Sequence, residues 1–324
     1  MKALVTGAAG FLGSRLVRLL LARGHAVRAL LRPGQALGPL AGLEVEEARG
    51  DVTEPHSLER AVEGCDWAFH LAGVRRAASR QLFLEVNAEG TRHLVEACLS
   101  AAPGLARLVL AGSLAAAGPS ATGKREEDPL QPAEWYGESK AEAERIALSY
   151  AGRLPVTVAR PPRIVGPGDR ENLVFFKIVK AGFLLDLRGP PRPLSFVDVE
   201  DCARGFLLLA ESPAAPGEAF FLASEERTDL VGLQRQVARA LGVSPRALPV
   251  PAALLSALAW VADAATLASG VKLPLNRKLA RQMLAPGWTC DPGKARRLLG
   301  FEARVSLAES VDRAARWYRE QAWL

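Results

Sequence analysis

The sequence predicts an α/β fold: a Rossmann-type doubly wound parallel sheet with a smaller, mainly helical C-terminal substrate domain. Three observations predict it: a glycine-spaced turn after an apolar N-terminal run, alternating strand-like and helix-like segments as far as residue 160, and a change of rhythm beyond that point. Such alternation implies parallel strands joined by right-handed crossovers. We expect a first domain over residues 1–160, to which the chain returns at about 195–222, and a partly intertwined second domain over 161–324.

The N-terminal turn carries three glycines, Gly7, Gly10 and Gly13, directly after the apolar run. Glycine lets a backbone turn tightly, approach a pyrophosphate closely and pack a helix against the preceding strand. The N-terminus of that helix offers free N–H groups and the positive end of its dipole to phosphate oxygens. The turn therefore predicts a dinucleotide site, which includes Phe11 and Leu12 between the last two glycines.

A helix over Phe11–Arg23 and a strand over His25–Leu31 complete a βαβ unit. In a site that prefers NAD, an acidic side chain at the end of this strand accepts hydrogen bonds from the ribose. Here Arg32 stands at that place and Arg28 lies within the strand, so no carboxylate repels a 2′-phosphate. We therefore expect NADP(H) to be favoured over NAD(H). In the alternative interpretation, both arginines are solvated surface residues.

The other elements follow from apolar runs between turn residues, which predict strands, and from longer amphipathic stretches, which predict helices. In order, we predict a strand at Leu43–Glu47, a helix at Ser57–Glu63, a strand at Trp67–His70, a helix at Arg80–Ala101, a strand at Leu105–Ala111, a loop at Ser113–Pro132, a helix at Trp135–Ala151 and a strand at Val156–Arg160. Proline and glycine interrupt the chain from residue 160 to 193. A short strand and helix then return at Ser195–Ala210, and mainly helical segments follow.

The composition is that of an ordinary globular protein, with 49% apolar and 23% charged residues and a net charge of +6. Basic residues are dispersed without interleaved aromatic residues, so we expect no nucleic-acid partner; the charge suits an anionic ligand such as NADP. The four cysteines are scattered without metal-ligand spacing. We therefore expect reduced core thiols, no metal and a cytoplasmic protein. We also expect no signal peptide, because the first strand is predicted to start at Lys2.

The alanine-rich segment from Pro251 to Gly270 raises the question of a membrane. A spanning helix needs about 20 strongly apolar residues, and a charge such as Asp263 costs about 2.5–3.5 kcal/mol at its centre. A buried helix or a lid is therefore favoured over membrane contact.

A candidate catalytic pair lies in the helix after the long loop, where Tyr136 and Lys140 are four residues apart and share one helical face. An ammonium beside a phenol favours the phenolate, which suits acid and base catalysis near neutral pH. Ser113 follows the preceding strand, where its hydroxyl can hydrogen-bond a substrate oxygen. Together the three side chains can polarise a carbonyl group while hydride arrives. In the alternative interpretation, the pair is simply exposed on its helix.

These motifs occur in an order and spacing that resemble the extended short-chain dehydrogenase/reductases over nearly the whole chain. The matching blocks are Thr6–Gly13, Gly50–Val52, His70–Gly73, Asn87–Thr91, Ser113, Tyr136 with Lys140, Arg160–Pro162, Gly166–Asp169, Ser195–Asp201, Cys290–Ala295 and Leu299–Phe301.

The resemblance implies a role for each block. Gly7, Gly10 and Gly13 would hold the pyrophosphate, Asp51 and Val52 would flank the adenine, and Ala72 and Gly73 would line the cofactor cleft, with Leu71, Asn87 and Pro161 as further cofactor contacts. Tyr136 would be the proton donor, Lys140 would bind the nicotinamide ribose, and Ser113 would orient the substrate. As alternatives, Asp51 is a turn former, Asn87 is a solvated helix residue, and Ala72 with Gly73 forms a packing contact.

Departures from the family pattern separate its branches. Sugar-nucleotide epimerases and dehydratases usually carry Asn and Arg where this chain has Arg163 and Leu194. Sugar dehydratases carry a Thr-Asp-Glu cluster where this chain has Ala111–Leu114. The strand Val27–Arg32 and the run Arg192–Val197 look more like dihydroflavonol reductases and 3β-hydroxysteroid dehydrogenases, which act on apolar alcohols and ketones.

The resemblance thus implies an NAD(P)H-dependent oxidoreductase that interconverts a ketone and a secondary alcohol on a mostly apolar small molecule by hydride transfer. Apolar helices at 254–267 and 273–284 would line an apolar cleft, or else belong to the core. Two other functions stay open: a nucleotide-sugar epimerase or dehydratase that regenerates bound NAD(P), and a non-catalytic nucleotide-binding sensor. By analogy with the family, a homodimer would form through the helices that hold Arg92–Cys98 and Tyr136–Leu148.

Overall fold

The computed structural model describes residues 1–269 and 276–324, and its strands and helices alternate along most of the chain. The strands are β1 (Lys2–Thr6), β2 (Ala26–Leu31), β3 (Glu46–Arg49), β4 (Trp67–His70), β5 (Arg107–Ala111), β6 (Ser120–Lys124), β7 (Val156–Ala159), β8 (Arg163–Val165), β9 (Phe183–Leu187), β10 (Leu194–Asp198), β11 (Ala219–Phe220), β12 (Arg227–Thr228), β13 (Arg246–Val250) and β14 (Trp288–Cys290).

The helices lie mainly between these strands. They are α1 (Phe11–Ala22), α2 (Pro55–Val62), α3 (Arg80–Leu84), α4 (Gly90–Ala101), α5 (Leu114–Ala117), α6 (Trp135–Ser149), α7 (Leu173–Lys180), α8 (Val199–Glu211), α9 (Leu230–Leu241), α10 (Ala252–Ser269), α11 (Arg277–Leu284), α12 (Gly293–Leu299) and α13 (Leu307–Glu320).

The main sheet is parallel and runs in the order β11-β7-β5-β4-β1-β2-β3. The chain starts in the middle at β1, moves to one edge through β2 and β3, and then returns to build the other side. This reversal of strand order is the mark of a doubly wound dinucleotide-binding fold. The predicted fold class is therefore confirmed.

The central strands are buried on both faces, as a sheet with helices on each side requires. Val5 of β1 belongs to an apolar cluster with Leu16 of α1 and Phe206 of α8. Its neighbour Leu4 belongs to a second cluster with Leu94 of α4. Consecutive residues thus point to opposite faces, as the period of two in a strand demands. The cysteines are buried free thiols, as predicted.

A second, smaller sheet contains β12, β10, β14 and β6, with β8 beside β10, and a further parallel pair joins β9 to β13. An apolar cluster that includes Phe196 of β10 and Val311 of α13 packs the later helices against this sheet. Strand β6 lies within the predicted first domain, so the chain first crosses to the second sheet well before residue 160. It returns to the main sheet at β7, leaves it again for β8 to β10, and returns once more through α8 and β11. Of the segment predicted to return at 195–222, β10 therefore belongs to the second sheet and β11 to the main sheet.

Some predicted elements differ from the structure. The helix predicted at Arg80–Ala101 contains one π-helical turn at Glu85–Glu89. The loop predicted at Ser113–Pro132 contains α5 and β6, and the strand predicted at Leu43–Glu47 is β3, which begins at Glu46. The helix predicted at 273–284 is α11, and its predicted first turn falls in residues 270–275, outside the described residues.

Helix α10 packs on one side only. Leu255, Ala259 and Ala262 are buried at spacings of four and three, while Trp260 is 62% exposed and Val261 is 65% exposed. Of the two interpretations favoured from the sequence, a fully buried helix is wrong and a lid stays a prediction, because an alanine-rich pattern does not tell which face has a neighbour. In the described ranges, no helix combines the length and the apolar character needed to cross a bilayer.

Candidate active site

The turn between β1 and α1 is built so tightly that its glycines leave no room for side chains. Gly7 has a φ of +67°, and a Cβ on it would lie 2.8 Å from the backbone nitrogen of Ala72. A Cβ on Gly13 would lie 2.1 Å from the carbonyl oxygen of Gly7. Gly10 is the N-cap residue of α1, and no side chain caps that end. The first N–H groups of α1 are therefore left without a capping side chain, which is the geometry that a pyrophosphate needs, and its binding there stays a prediction.

The loop after β4 is held against this turn by Thr6. The Oγ1 atom of Thr6 accepts a hydrogen bond from the backbone nitrogen of Ala72 at 3.0 Å and lies 2.8 Å from Nδ1 of His70. The backbone nitrogen of Leu71 donates to the carbonyl oxygen of Thr6 at 3.2 Å. The predicted cleft residues Leu71, Ala72 and Gly73 thus lie beside the glycine turn.

Asn87 lies in the π-helical turn, and both atoms of its carboxamide are engaged. Its Oδ1 accepts from the backbone nitrogen of Val74 at 2.8 Å, and its Nδ2 donates to the carbonyl oxygen of Val74 at 3.0 Å and to Oγ of Ser139 at 2.9 Å. The side chain is buried, which excludes the alternative of a solvated residue. Asn87 therefore joins the loop after β4 to α6 and positions the cleft.

Lys140 is buried in α6, so an exposed helical pair does not describe it. Its Nζ donates a 2.7 Å hydrogen bond to the carbonyl oxygen of Ala111 at the end of β5. A Cβ on Gly73 would lie 3.5 Å from that nitrogen, so the ammonium borders the loop after β4. Burial, and then the positive charge of Arg75, lowers the pKa of Lys140 to about 8.

Tyr136 is half-buried one helical turn before Lys140. Its ring centroid lies 6.3 Å from that of Phe83 and 5.7 Å from the guanidinium carbon of Arg75. A cation over an aromatic face is attracted to it and adds positive charge to the site. Sequence reasoning missed Arg75 and Phe83. The position of Arg75, just beyond the carboxyl end of β4, was a usable signal, because ligands of such sheets bind at that edge.

Ser113 is the N-cap residue of α5, and its Oγ accepts from the backbone nitrogen of Ala115 at 3.1 Å. Helices α5 and α6 pack in direct contact, since a Cβ on Gly137 would lie 2.4 Å from the carbonyl oxygen of Ala115. Gly137 follows Tyr136 in the chain. The close packing therefore brings Ser113 and Tyr136 to the same edge of the main sheet.

Three further predicted contacts lie around this edge. The carbonyl oxygen of Pro161 accepts from the backbone nitrogen of Leu114 at 3.0 Å, which fixes the start of α5. Leu12 packs into the main apolar cluster. A Cβ on Gly168 would contact the ring of Phe11 at 3.6 Å, so Phe11 lies beside the loop after β8. Pro161 acts here through its backbone carbonyl and the other two through packing, and direct cofactor contact of all three stays a prediction.

Asp51 and Val52 follow β3 at the same edge. The Oδ1 atom of Asp51 accepts from the backbone nitrogen and the Oγ1 of Thr53, at 3.0 and 2.9 Å. This is the turn-forming role that the sequence left open for Asp51. Val52 is buried, and a Cβ on Gly90 would lie 2.9 Å from it. Contact of either residue with adenine stays a prediction.

Arg28 does not face the dinucleotide groove, which corrects its assignment. Its guanidinium donates to Glu46 at 2.7 Å and to the carbonyl oxygens of Ala61 and Glu63 at 2.8 and 2.7 Å. Those carbonyls end α2, at the edge of the sheet opposite the glycine turn. A basic side chain at a helix C-terminus hydrogen-bonds the unpaired carbonyl groups there, and this is the structural role of Arg28. Arg32, by contrast, is exposed directly after β2.

The glycine turn, the doubly wound sheet and the Tyr136–Lys140 pair together define an extended short-chain dehydrogenase/reductase. The chain belongs to the NAD dependent epimerase/dehydratase family, whose family model matches residues 3–223. The resemblance identified from the sequence is therefore confirmed.

The curated relatives are similar over the full chain. The sterol demethylase protein B of Methylococcus capsulatus is 32% identical over all of both chains. The ceramide reductase of Caulobacter vibrioides is 29% identical over 99% of this chain and 95% of its own. A 3-beta-hydroxysteroid dehydrogenase of Mycolicibacterium neoaurum is 29% identical over 98% of this chain and 92% of its own. The similarity thus extends to the reductase and dehydrogenase branch.

Among solved structures, the dTDP-glucose 4,6-dehydratase DesIV of Streptomyces venezuelae, with NAD and TYD bound, has a TM-score of 0.79. It is 26% identical and covers 100% of this chain and 98% of its own. The epimerase and dehydratase branch therefore shares this fold as well.

Proposed function

We propose that the protein is an NADP(H)-preferring oxidoreductase that interconverts a ketone and a secondary alcohol on a mostly apolar small molecule. The observation that carries the proposal is the close packing of α5, which begins after Ser113, against the first turn of α6, which holds Tyr136, with Lys140 bonded to the end of β5. Each of the three residues comes from a different anchor: the end of β5, the first turn of α6 and the buried face of α6.

In the reducing direction, the Tyr136 hydroxyl gives its proton to the substrate oxygen, and the Ser113 hydroxyl donates a hydrogen bond to the same oxygen. The Lys140 ammonium stabilises the phenolate that remains. The nicotinamide, when bound, supplies the hydride to the carbonyl carbon. The carbonyl gains a hydride and a proton, so the product is a secondary alcohol and the cofactor leaves oxidised.

The residues that would hold the cofactor are divided between two ends of the groove. The uncapped N-terminus of α1 would bind the pyrophosphate, and Lys140 would hydrogen-bond the nicotinamide ribose. Arg32 is the exposed cation at the end of β2, where a 2′-phosphate would lie. No acidic side chain stands at that position in the sequence. The preference for NADP(H) therefore depends on Arg32 alone among the two arginines.

An apolar substrate is supported by the departures at Arg163 and Leu194 from the sugar-nucleotide pattern and by relatives described as ceramide reductase and 3-beta-hydroxysteroid dehydrogenase. The structure adds a neighbour of the site. Lys278 of α11 lies over the rings of Phe83 and Trp135, at 4.8 and 5.1 Å from their centroids. The α10–α11 pair thus lies beside Phe83, which is close to the Tyr136 ring, and beside Trp135, which precedes Tyr136 in the chain.

The test is a panel of apolar ketones incubated with NADPH, with nicotinamide absorbance and product analysis as readouts. We expect stoichiometric NADPH consumption and the matching secondary alcohol. The second candidate, favoured by the likeness to the dehydratase DesIV, is an epimerase or dehydratase that regenerates its cofactor. It predicts conversion of a nucleotide sugar without net NADPH consumption. Tight nucleotide binding with no turnover of either substrate class would instead indicate a sensor.

A further inference from the structure

Helix α10 presents a broad apolar face that no other part of the described chain covers. Leu254 and Leu258 are about half exposed, at 49% and 48%, and Trp260, Val261 and Leu267 are 62%, 65% and 89% exposed. The buried stripe of Leu255, Ala259 and Ala262 occupies the opposite side. Exposed apolar patches of this kind mark interaction surfaces rather than ordinary solvent-facing helix.

The charged side chains beside this face form two ion pairs, Arg277 with Asp263 and Lys278 with Glu134 at 3.4 Å, and Arg281 adds a further positive charge. Asp263 is the one charged residue in the sequence of α10, and its carboxylate accepts a 2.6 Å hydrogen bond from Arg277. The guanidinium carbon of Arg277 also lies 4.0 Å from the ring centroid of Trp260, at the border of the face. Helix α11 carries Arg277, Lys278 and Arg281 and no acidic residue. An apolar face with arginine at its border and tryptophan near its edge is the pattern of helices that lie in a membrane interface.

The same geometry disfavours a second copy of this chain as the occupant. A symmetric pair places the same patch of each subunit against itself. Arg281, which follows Arg277 by one helical turn and is exposed, adds positive charge to this patch, and a second copy would bring the same charge to the pair. An anionic lipid surface meets both features at once, because it accepts the apolar side chains and neutralises the basic border.

We propose that α10 docks the protein onto an anionic lipid bilayer, with its exposed face lying in the interface and the basic side chains of α11 on the headgroups. The helix does not span the bilayer, in keeping with its length and with Asp263. Because α11 also lies against Trp135, just before the catalytic tyrosine, the docked surface borders the mouth of the site. An apolar substrate would then pass from the bilayer to the site without crossing water.

The test is vesicle flotation of the full chain, with phosphatidylcholine vesicles that contain about one fifth phosphatidylglycerol and with pure phosphatidylcholine as the comparison. The double variant Leu258→Glu/Val261→Glu places charge on the apolar face. The matched control is Leu298→Glu in α12, where the leucine is 49% exposed outside this face. Circular dichroism and NADPH binding verify that each variant folds.

We expect the wild type to float with the anionic vesicles and the double variant to bind at least about tenfold more weakly. Arg281→Glu should weaken binding about threefold or more, added salt should weaken it further, and Leu298→Glu should match the wild type. Failure of the wild type to bind at millimolar lipid, or equal binding by the double variant, would overturn the proposal. So would light scattering that shows a wild-type dimer which the double variant converts to a monomer, because a second copy would then cover the face.

Discussion

The ammonium of Lys140 donates a 2.7 Å hydrogen bond to the backbone carbonyl oxygen of Ala111. Ala111 ends β5, two residues before Ser113, so the position of the charge is set by the sheet backbone and not by a mobile side chain. The same bond ties α6, and with it Tyr136, to the carboxyl edge of the sheet. The groups assigned to the proton transfer are therefore positioned by one rigid connection.

Replacing Lys140 by methionine should make the protein more stable at pH 7. The pKa of Lys140 falls from 10.5 to about 8 on folding, so the folded chain binds this proton less tightly than the unfolded chain. Stability therefore rises with pH between about 8 and 10.5, and below pH 8 the buried charge costs its full amount. After loss of the bond to Ala111, we expect a gain of about 1–2 kcal/mol.

Urea unfolding of Lys140→Met and wild type at pH 7 and pH 10 measures this effect. The advantage of the variant should shrink at the higher pH, where the lysine of the folded protein is neutral. A variant that is less stable than wild type at pH 7 would show that the ammonium is a net stabilising group.

Replacing Arg75 by glutamine should move the alkaline limb of the activity profile to higher pH. The positive charge of Arg75 helps to lower the pKa of Lys140, so its removal raises that pKa. Below about pH 8 the charged ammonium supports the phenolate, and above it this support is lost. We expect kcat/KM of the variant to begin its alkaline fall at a pH that is a few tenths of a unit higher than in the wild type. The control is Arg76→Gln, which removes an exposed partner of Glu171 and should leave the pH profile unchanged. Identical profiles for the wild type and both variants would show that Arg75 does not lower the pKa of Lys140.

His70 should make the fold sensitive to acid. Burial, and then the charge of Lys140, lowers the pKa of His70 from 6.5 to about 3. The unfolded chain therefore takes up the proton first, and stability is lost at about 1.4 kcal/mol per pH unit as the pH falls from 6.5 towards 3. His70→Leu should lose stability less steeply over this window in urea unfolding. His56→Leu, at a side chain that is 97% exposed, is the control, and equal slopes for His70→Leu and wild type would contradict the prediction.

Substitution of Arg28 and of Arg32, at the second strand of the βαβ unit, should have different effects on cofactor binding. Arg32→Gln should weaken NADPH binding by about tenfold or more and leave NADH binding within a factor of two, because only NADPH carries the 2′-phosphate. Arg28→Gln should leave the NADPH to NADH ratio unchanged and lower the thermal midpoint, since the helix end at Ala61 and Glu63 loses its cap. Isothermal titration measures both ratios. A changed ratio in the Arg28 variant would restore its first assignment.

The sequence sufficed where local chemistry decides structure. The glycine spacing, the alternation of elements and the four-residue spacing of Tyr136 and Lys140 depend on neighbours in the chain, and the structure has each of them. Contacts between residues that are distant in the sequence could not be predicted. Arg28 binds the end of a helix more than 30 residues away, and β6 pairs with β14 across more than 160 residues. Equally, nothing in an alanine-rich helix tells that one face of α10 lacks a neighbour.

The central claim is that Tyr136 transfers the proton, and the rate of NADPH oxidation by Tyr136→Phe with a ketone that the wild type reduces tests it most directly. We expect a fall in kcat of about 10²–10⁴ with NADPH affinity within a factor of two. Tyr150→Phe, which removes a hydroxyl bonded to Glu96 just after α6, should keep the wild-type rate. A Tyr136→Phe enzyme that turns over at the wild-type rate would contradict the account.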